Sequence, residues 1–377
     1  MKEKYKDLFT PFTFPNGVTL KNRIVIAPMT HWSSNPDGSV SEVELKYYAR
    51  RSSGVGAVIT ACAYVAANGK AFHGQFSADR DDMIPGLRKV AKTIQEQGAK
   101  AILQIHHGGR LCPPELVPNG DIVSASAVPA ERPGAKTPRA LTIPEIEELV
   151  EAFGEATRRA IEAGFDGVEI HGANGYLIHQ FFSPHSNRRD DRYGGTLEKR
   201  MTFPLEIIKK VKSVVAQYAK SPFIVGYRFS PEEPERPGIT MDDTLAFVDV
   251  LADQGLDYLH VSLHDFRSTP RDGVEDLNKT RIAYLLETIG GRVPLIGVGS
   301  IITADDAKEA LDTGVALIAI GRELIVDPDW VQKIQEGRED EIATCIYPDQ
   351  QEELVIPDGL WEQIMTRPGW FPVKERQ

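Results

Sequence analysis

Residues 168–195 read VEIHGANGYLIHQFFSPHSNRRDDRYGG. Val168, Glu169, Ile170 and His171 open the run as a strand, which then breaks into a loop carrying Asn174 and Tyr176. An imidazole, a carboxamide and a phenol at a strand end admit several chemistries. They can ligate a metal, assist a nucleophile, or donate hydrogen bonds to a substrate oxygen. Packing is the remaining reading. The metal reading is disfavoured. His179 and His185 sit among Phe181, Phe182 and Pro184, and no HxH pair, HExxH motif or carboxylate set with ligand spacing accompanies them. His106 and His107 face opposite sides of a strand and cannot chelate one ion from there. No G-x-S-x-G elbow supports a serine nucleophile. The charged run from Asn187 to Gly195 reads as a salt-bridged turn before a helix capped by Thr196.

The elements that must position these groups form a regular series. Short apolar runs alternate with amphipathic helical segments. The strand candidates are Arg23–Pro28, Gly56–Cys62, Lys100–His106, Asp166–His171, Phe223–Ser230, Asp257–Ser262, Val293–Ser300 and Ala316–Arg322. Helix punctuation supports the series: Thr142 with Pro144 opens one helix and Gly164 closes it. Eight such units predict an α/β fold, a (β/α)8 TIM barrel, as one domain over residues 1–340. A doubly wound sheet is the runner-up. Residues 107–141 and 231–239, rich in Pro and Gly or in Glu and Pro, predict insertions on the C-terminal face, where barrels build active sites. Residues 341–377 read as a tail carrying Trp361, Trp370 and Phe371, which packs on the barrel or on a neighbouring subunit of a homo-oligomer.

In a barrel, the candidate chemistry lies at the strand ends: Ala27, Pro28, Met29 and Thr30; Cys62; Gln104; His171; Arg228; Gly299 and Ser300; Gly321 and Arg322. GVGS and AIGR place glycines before helices on adjacent strands, where backbone N–H groups can face a phosphate and Arg322 adds a charged donor. A Rossmann fingerprint is the weaker reading, because GVGSII lacks the third glycine. Gln104 offers donor and acceptor, as the pyrimidine edge of a flavin requires. A cation at Arg228 favours negative charge on such a ring, and Thr30 can donate to it. Arg228 also reads as a structural partner of inward-pointing Glu169.

LKNRIVIAPMT, AILQIHHGGR, the long stretch above, GYRFSP, and IGVGSI with AIGRELIVDPDW make the chain similar to the Old Yellow Enzyme family over roughly residues 6–335. The flavour resembles the bacterial NADH-dependent flavin oxidoreductases. The resemblance implies FMN at the barrel mouth, reduced by NADH or NADPH. The hydride then passes from flavin N5 to the β-carbon of an activated alkene, with a quinone or nitro compound as other acceptors. It places Ala27, Pro28, Met29, Thr30, Cys62, Gln104, Arg228, Gly299, Ser300, Gly321 and Arg322 against the flavin. It assigns His171 and Asn174 to the substrate's carbonyl oxygen, Tyr176 to proton donation, and Trp32 to substrate contact. Thr30 stands where a sub-branch has Cys, Cys62 where a small residue is common, and His106 where a bulky apolar residue is usual; His106 is read as a core variant.

Composition narrows the field. A formal charge of −11 argues against a nucleic-acid footprint, and no apolar run approaches a spanning helix, so no membrane association is expected. The N-terminus lacks an apolar signal core, and cysteines 62, 112 and 345 form no CxxC pair, which predicts a cytoplasmic protein. Three cysteines cannot supply four thiolates to an iron–sulfur cluster. The competing class is a barrel lyase or isomerase on a phosphorylated metabolite, using His171 and Tyr176 for proton transfer.

Overall fold

The structure, a computed structural model, describes residues 1–377. Eight parallel strands close into a barrel: β1 (Ile24–Ile26), β2 (Ala57–Ile59), β3 (Lys100–His106), β4 (Gly167–Gly172), β5 (Ile224–Phe229), β6 (Tyr258–Val261), β7 (Leu295–Val298) and β8 (Leu317–Ile320). Each pairs with its neighbours in sequence, β8 pairs with β1, and β2 pairs with β3, so the sheet has no free edge. The doubly wound alternative is therefore excluded.

The helices form where the sequence punctuates them. Ser41 caps α1 (Glu42–Arg51) and Thr142 caps α3 (Ile143–Ala163), each through a reciprocal capping box. Between them lies α2 (Ile84–Glu96). Gly164 ends α3 at φ 88°, the left-handed conformation in which a Cβ is penalised. Thr196 is a cap, as expected, but only of the single turn Leu197–Arg200; the main helix starts afresh at Thr202. Several strands are shorter than their apolar runs. Chain that continues past the last paired residue is no longer strand, as after Ile59 in β2. No helix is long and apolar enough to cross a membrane.

Side chains alternate between the helix layer and the barrel interior. The lower interior is apolar, with Val25, Ala57, Ile102, Ile224, Ile296 and Leu317 in one buried cluster. An N-terminal hairpin, Phe12–Thr13 paired with Thr19–Leu20, supplies Phe14 to that cluster. The tail runs back over the barrel. Arg51 of α1 donates to the carbonyls of Leu354 and Val355, and a tail helix spans Asp358–Thr366. Residues 107–141 hold three single turns of 3-10 helix and a two-residue strand pair, and lie between β3 and α3.

Candidate active site

Strand register builds the site. Gln104 of β3 stands opposite Glu169 of β4, while Arg228 of β5 stands opposite both His171 of β4 and His260 of β6. Glu169 is fully buried and accepts three hydrogen bonds: from Gln104 Nε2 at 2.7 Å, His260 Nδ1 at 2.8 Å and Tyr258 Oη at 3.0 Å. Gly226 makes room for this layer, since a Cβ there would overlap the Tyr258 ring. Burial pushes the Glu169 carboxyl up, but His260, Arg228 and Gln104 outweigh it, and the group lies below the ordinary carboxylate value. Arg228 is buried beside this carboxylate without hydrogen-bonding to it, and its Nε has no partner. The expected Arg228–Glu169 pairing is thus purely electrostatic.

Above this layer, three of the expected residues form the mouth. His171 Nδ1 accepts from the Ala173 N–H at 3.3 Å. Burial holds its pKa well below the ordinary value, so the ring is neutral and its proton sits on Nε2 as a donor. Tyr176 lies edge-to-face with His171, ring centroids 5.1 Å apart, and its hydroxyl bonds to nothing in the chain. Burial raises the phenol's pKa, so it keeps its proton across the neutral range. Asn174 (φ 60°) and Gly175 (φ 80°) turn the chain sharply between them. The Asn174 side chain is anchored through its oxygen. Its Oδ1 accepts from Ser262 Oγ at 2.7 Å, beyond β6, and its amide N–H groups are free.

Sequence reasoning took His106 for a core variant, but it packs directly against Tyr176, with centroids 4.5 Å apart and planes at 76°. Gln75 Nε2 donates to His106 Nδ1 at 3.0 Å, leaving His106 Nε2 as a buried polar atom without a partner. Phe72, Trp32 and Trp370 extend the aromatic wall, each successive pair near 5.9–6.4 Å. Trp32 adopts φ 48°, a costly conformation for a bulky residue. Gly74 and Gly359 leave room for its backbone, because a Cβ at either would overlap it. Arg367 stacks over both Trp32 and Trp370, at 5.3 and 5.4 Å. A cavity of about 800 Å³ opens beside Trp32 between α1 and the tail.

The strand ends opposite complete the ring. Gly299 has φ 111°, and a Cβ there would meet the Leu263 carbonyl at 2.5 Å. The amides of Gly299, Ser300 and Gly321 donate to nothing in the chain, and Ser300 Oγ is tied to the His264 carbonyl at 2.8 Å. Arg322 gives Nη1 to the Trp370 carbonyl at 2.7 Å, so the tail shares a side chain expected to serve a phosphate alone. Ala27 donates to the Ile320 carbonyl, and Pro28, Met29 and Thr30 continue from β1 along the mouth. Thr30 and Gln75 both reach the Cys62 thiol, which burial pushes up to about 12. His179 and His185 pair with Glu233 and Glu131, at 3.2 and 3.0 Å.

Residues 7–341 match the family model described as the NADH:flavin oxidoreductase / NADH oxidase family. The chain belongs to this family. It is 56% identical to the probable NADH-dependent flavin oxidoreductase YqiG of Bacillus subtilis, over the whole of both chains. It is 48% identical to the NADH:acrylate oxidoreductase of Vibrio harveyi across 94% of its own length, but spans only 35% of that protein. Among solved structures, morphinone reductase in complex with tetrahydroNAD superposes with a TM-score of 0.74 at 30% identity, covering 88% of this chain and 91% of that one. The Old Yellow Enzyme homologue of Zymomonas mobilis gives 0.77 at 26% identity, covering 94% and 99%.

Membership makes the protein an oxidoreductase using a flavin with NADH or NADPH, which favours the redox reading over the lyase or isomerase. The residues present fit a flavin. A buried guanidinium lacks partners at Arg228, the amides at 299, 300 and 321 are unclaimed, and side chains are excluded beside Gly299. His260, Tyr258 and Gln75 were missed from the sequence. The first two alternate inward on a buried strand, a legible signal. Gln75 acts from a loop and carries none.

Proposed function

We propose that the protein is an FMN-dependent ene-reductase. FMN, when bound, supplies hydride transfer: it takes a hydride from NADH or NADPH and gives it to the β-carbon of an alkene conjugated to a carbonyl, carboxyl or nitro group. Gly299, Ser300, Gly321 and Arg322 would hold the phosphate, and Gln104, Arg228, Thr30 and the Ala27–Met29 backbone would hold the ring system. Cys62 would line the site without thiol chemistry.

The carrying observation is the pair His171 and Tyr176, in ring contact with both polar tips free, at the mouth above an unpartnered Arg228. As hydride reaches the β-carbon, negative charge grows on the substrate oxygen. His171 Nε2–H would donate to that oxygen, and Asn174 would add a second donor by turning a free amide N–H toward it. Tyr176 would pass its Oη proton to the α-carbon, completing addition of hydride and proton across the double bond. Trp32 and Phe72 would exclude water from one side.

The test is spectroscopic and kinetic. The purified protein should carry a flavin absorbance, and a small phenol should raise a long-wavelength charge-transfer band. Tyr176→Phe should keep its rate of reduction by NADH and lose about 10²–10⁴-fold in alkene reduction. An unchanged alkene rate removes Tyr176 as the acid; absence of flavin binding removes the whole reading.

A further inference from the structure

Glu169 has no part in the chemistry above, yet it is the most heavily bonded side chain in the barrel interior. A carboxylate only accepts hydrogen bonds. Gln104 must therefore present Nε2 to it, and the 2.7 Å contact fixes which way the amide faces. The Gln104 carbonyl oxygen is then the end left toward the mouth, and it accepts nothing from the chain. Glu169 is also the charge that faces Arg228, whose guanidinium makes no hydrogen bond in the chain. Buried charges persist when paired, and here a cation is matched in charge but left open in hydrogen bonding.

We propose that Glu169 is a positioning residue for the cofactor. It holds Gln104 so that an oxygen, not an amide, meets the ring edge, and it balances the charge of Arg228. The ring edge must then offer an N–H to Gln104, as flavin N3 does. The balance also sets how strongly Arg228 favours the reduced, more negative ring. This rests on the flavin reading of the site.

Two measurements test it. The first needs no variant: apoprotein is titrated with FMN and with 3-methyl-FMN, which lacks the N3–H. Binding of the methyl analogue should be at least about tenfold weaker, the range of a lost buried hydrogen bond. In Glu169→Gln the amide can turn, and the discrimination should shrink. The second is the midpoint potential of the bound flavin. Glu169→Gln leaves Arg228 unbalanced and should move the potential positive, about 30 mV for each tenfold stabilisation of the reduced form. Tyr258→Phe keeps the carboxylate and the Gln104 contact, and should leave the potential near the wild-type value. Equal binding of both flavins by the wild-type protein overturns the proposal, as does a potential shift in Tyr258→Phe equal to that of Glu169→Gln. If Glu169→Gln fails to fold, the wild-type comparison of the two flavins still decides. A protein that binds neither flavin fails the functional reading instead.

Discussion

Acid should destabilise this protein through two adjacent histidines, by an amount the structure allows to be worked out. His106 and His107 are buried at the end of β3, and burial lowers both to about 3. Unfolded, each has an ordinary value near 6.5. Between these limits the unfolded chain binds a proton that the folded chain refuses. Stability is therefore complete above pH 6.5 and falls as pH drops toward 3. Going from pH 7.5 to 5.5 costs about 1.4 kcal/mol per histidine by proton linkage, or about 3 kcal/mol for the pair. That is a large share of the roughly 5–15 kcal/mol that separates folded from unfolded in typical domains. His106→Phe isolates half of it. Phenylalanine keeps the packing against Tyr176 and removes the unpartnered Nε2. The assay is urea unfolding at both pH values, and the variant should lose about 1.4 kcal/mol less than wild type on acidification. Equal losses would refute the reasoning, because they would mean that His106 takes up a proton in the folded state.

Two further outcomes follow from packing and thiol chemistry. Gly226→Ala places a methyl in the Tyr258 ring and should cost about 1–3 kcal/mol, seen as a lower melting temperature; an unchanged melting curve would show that Tyr258 can move aside. Burial pushes the Cys62 and Cys112 thiols up to about 12, whereas Cys345 is partly exposed. A thiol reagent should label Cys345 alone in the native protein and all three cysteines after denaturation. Native labelling of Cys62 would contradict its sealed position.

The barrel was legible because parallel strands covered on both faces read as apolar runs, and because capping residues mark helix starts. What was not legible depends on register and on distant contacts. His106 meets Tyr176 because Ile105 pairs with Ile170 across β3 and β4, and no local pattern in QIHH encodes that pairing. The apolar character of the neighbours made His106 look like core. Gln75 reaches His106 from a loop, and Trp370 meets Trp32 across nearly the whole chain. The positive φ of Trp32 is likewise invisible in sequence, because the two glycines that leave room for its backbone, Gly74 and Gly359, come from remote segments. Asn174 is the opposite case. Its type and position were plain, but the side chain's anchor, Ser262, sits on another strand end that no local pattern marks.

The distribution of satisfied and unsatisfied polar groups itself marks where a ligand belongs. In the layer of Glu169, the carboxylate has three donors and its charge faces Arg228. Around and above it, the guanidinium of Arg228, the oxygen of Gln104, Nε2 of His171, Oη of Tyr176 and the amides of Gly299, Ser300 and Gly321 lack partners in the chain, and of the side-chain atoms among them only Arg228 Nε is sealed from solvent. An unpaired buried polar group costs about 1–3 kcal/mol. That cost falls on Arg228 Nε, whereas the other side-chain groups open to the mouth, where a ligand can reach them. Glu169 itself is satisfied, while Nε2 of His260, whose Nδ1 bonds to it, is buried without a partner. The free groups around the mouth are the ones that a flat, polar-edged ring and its substrate would complete.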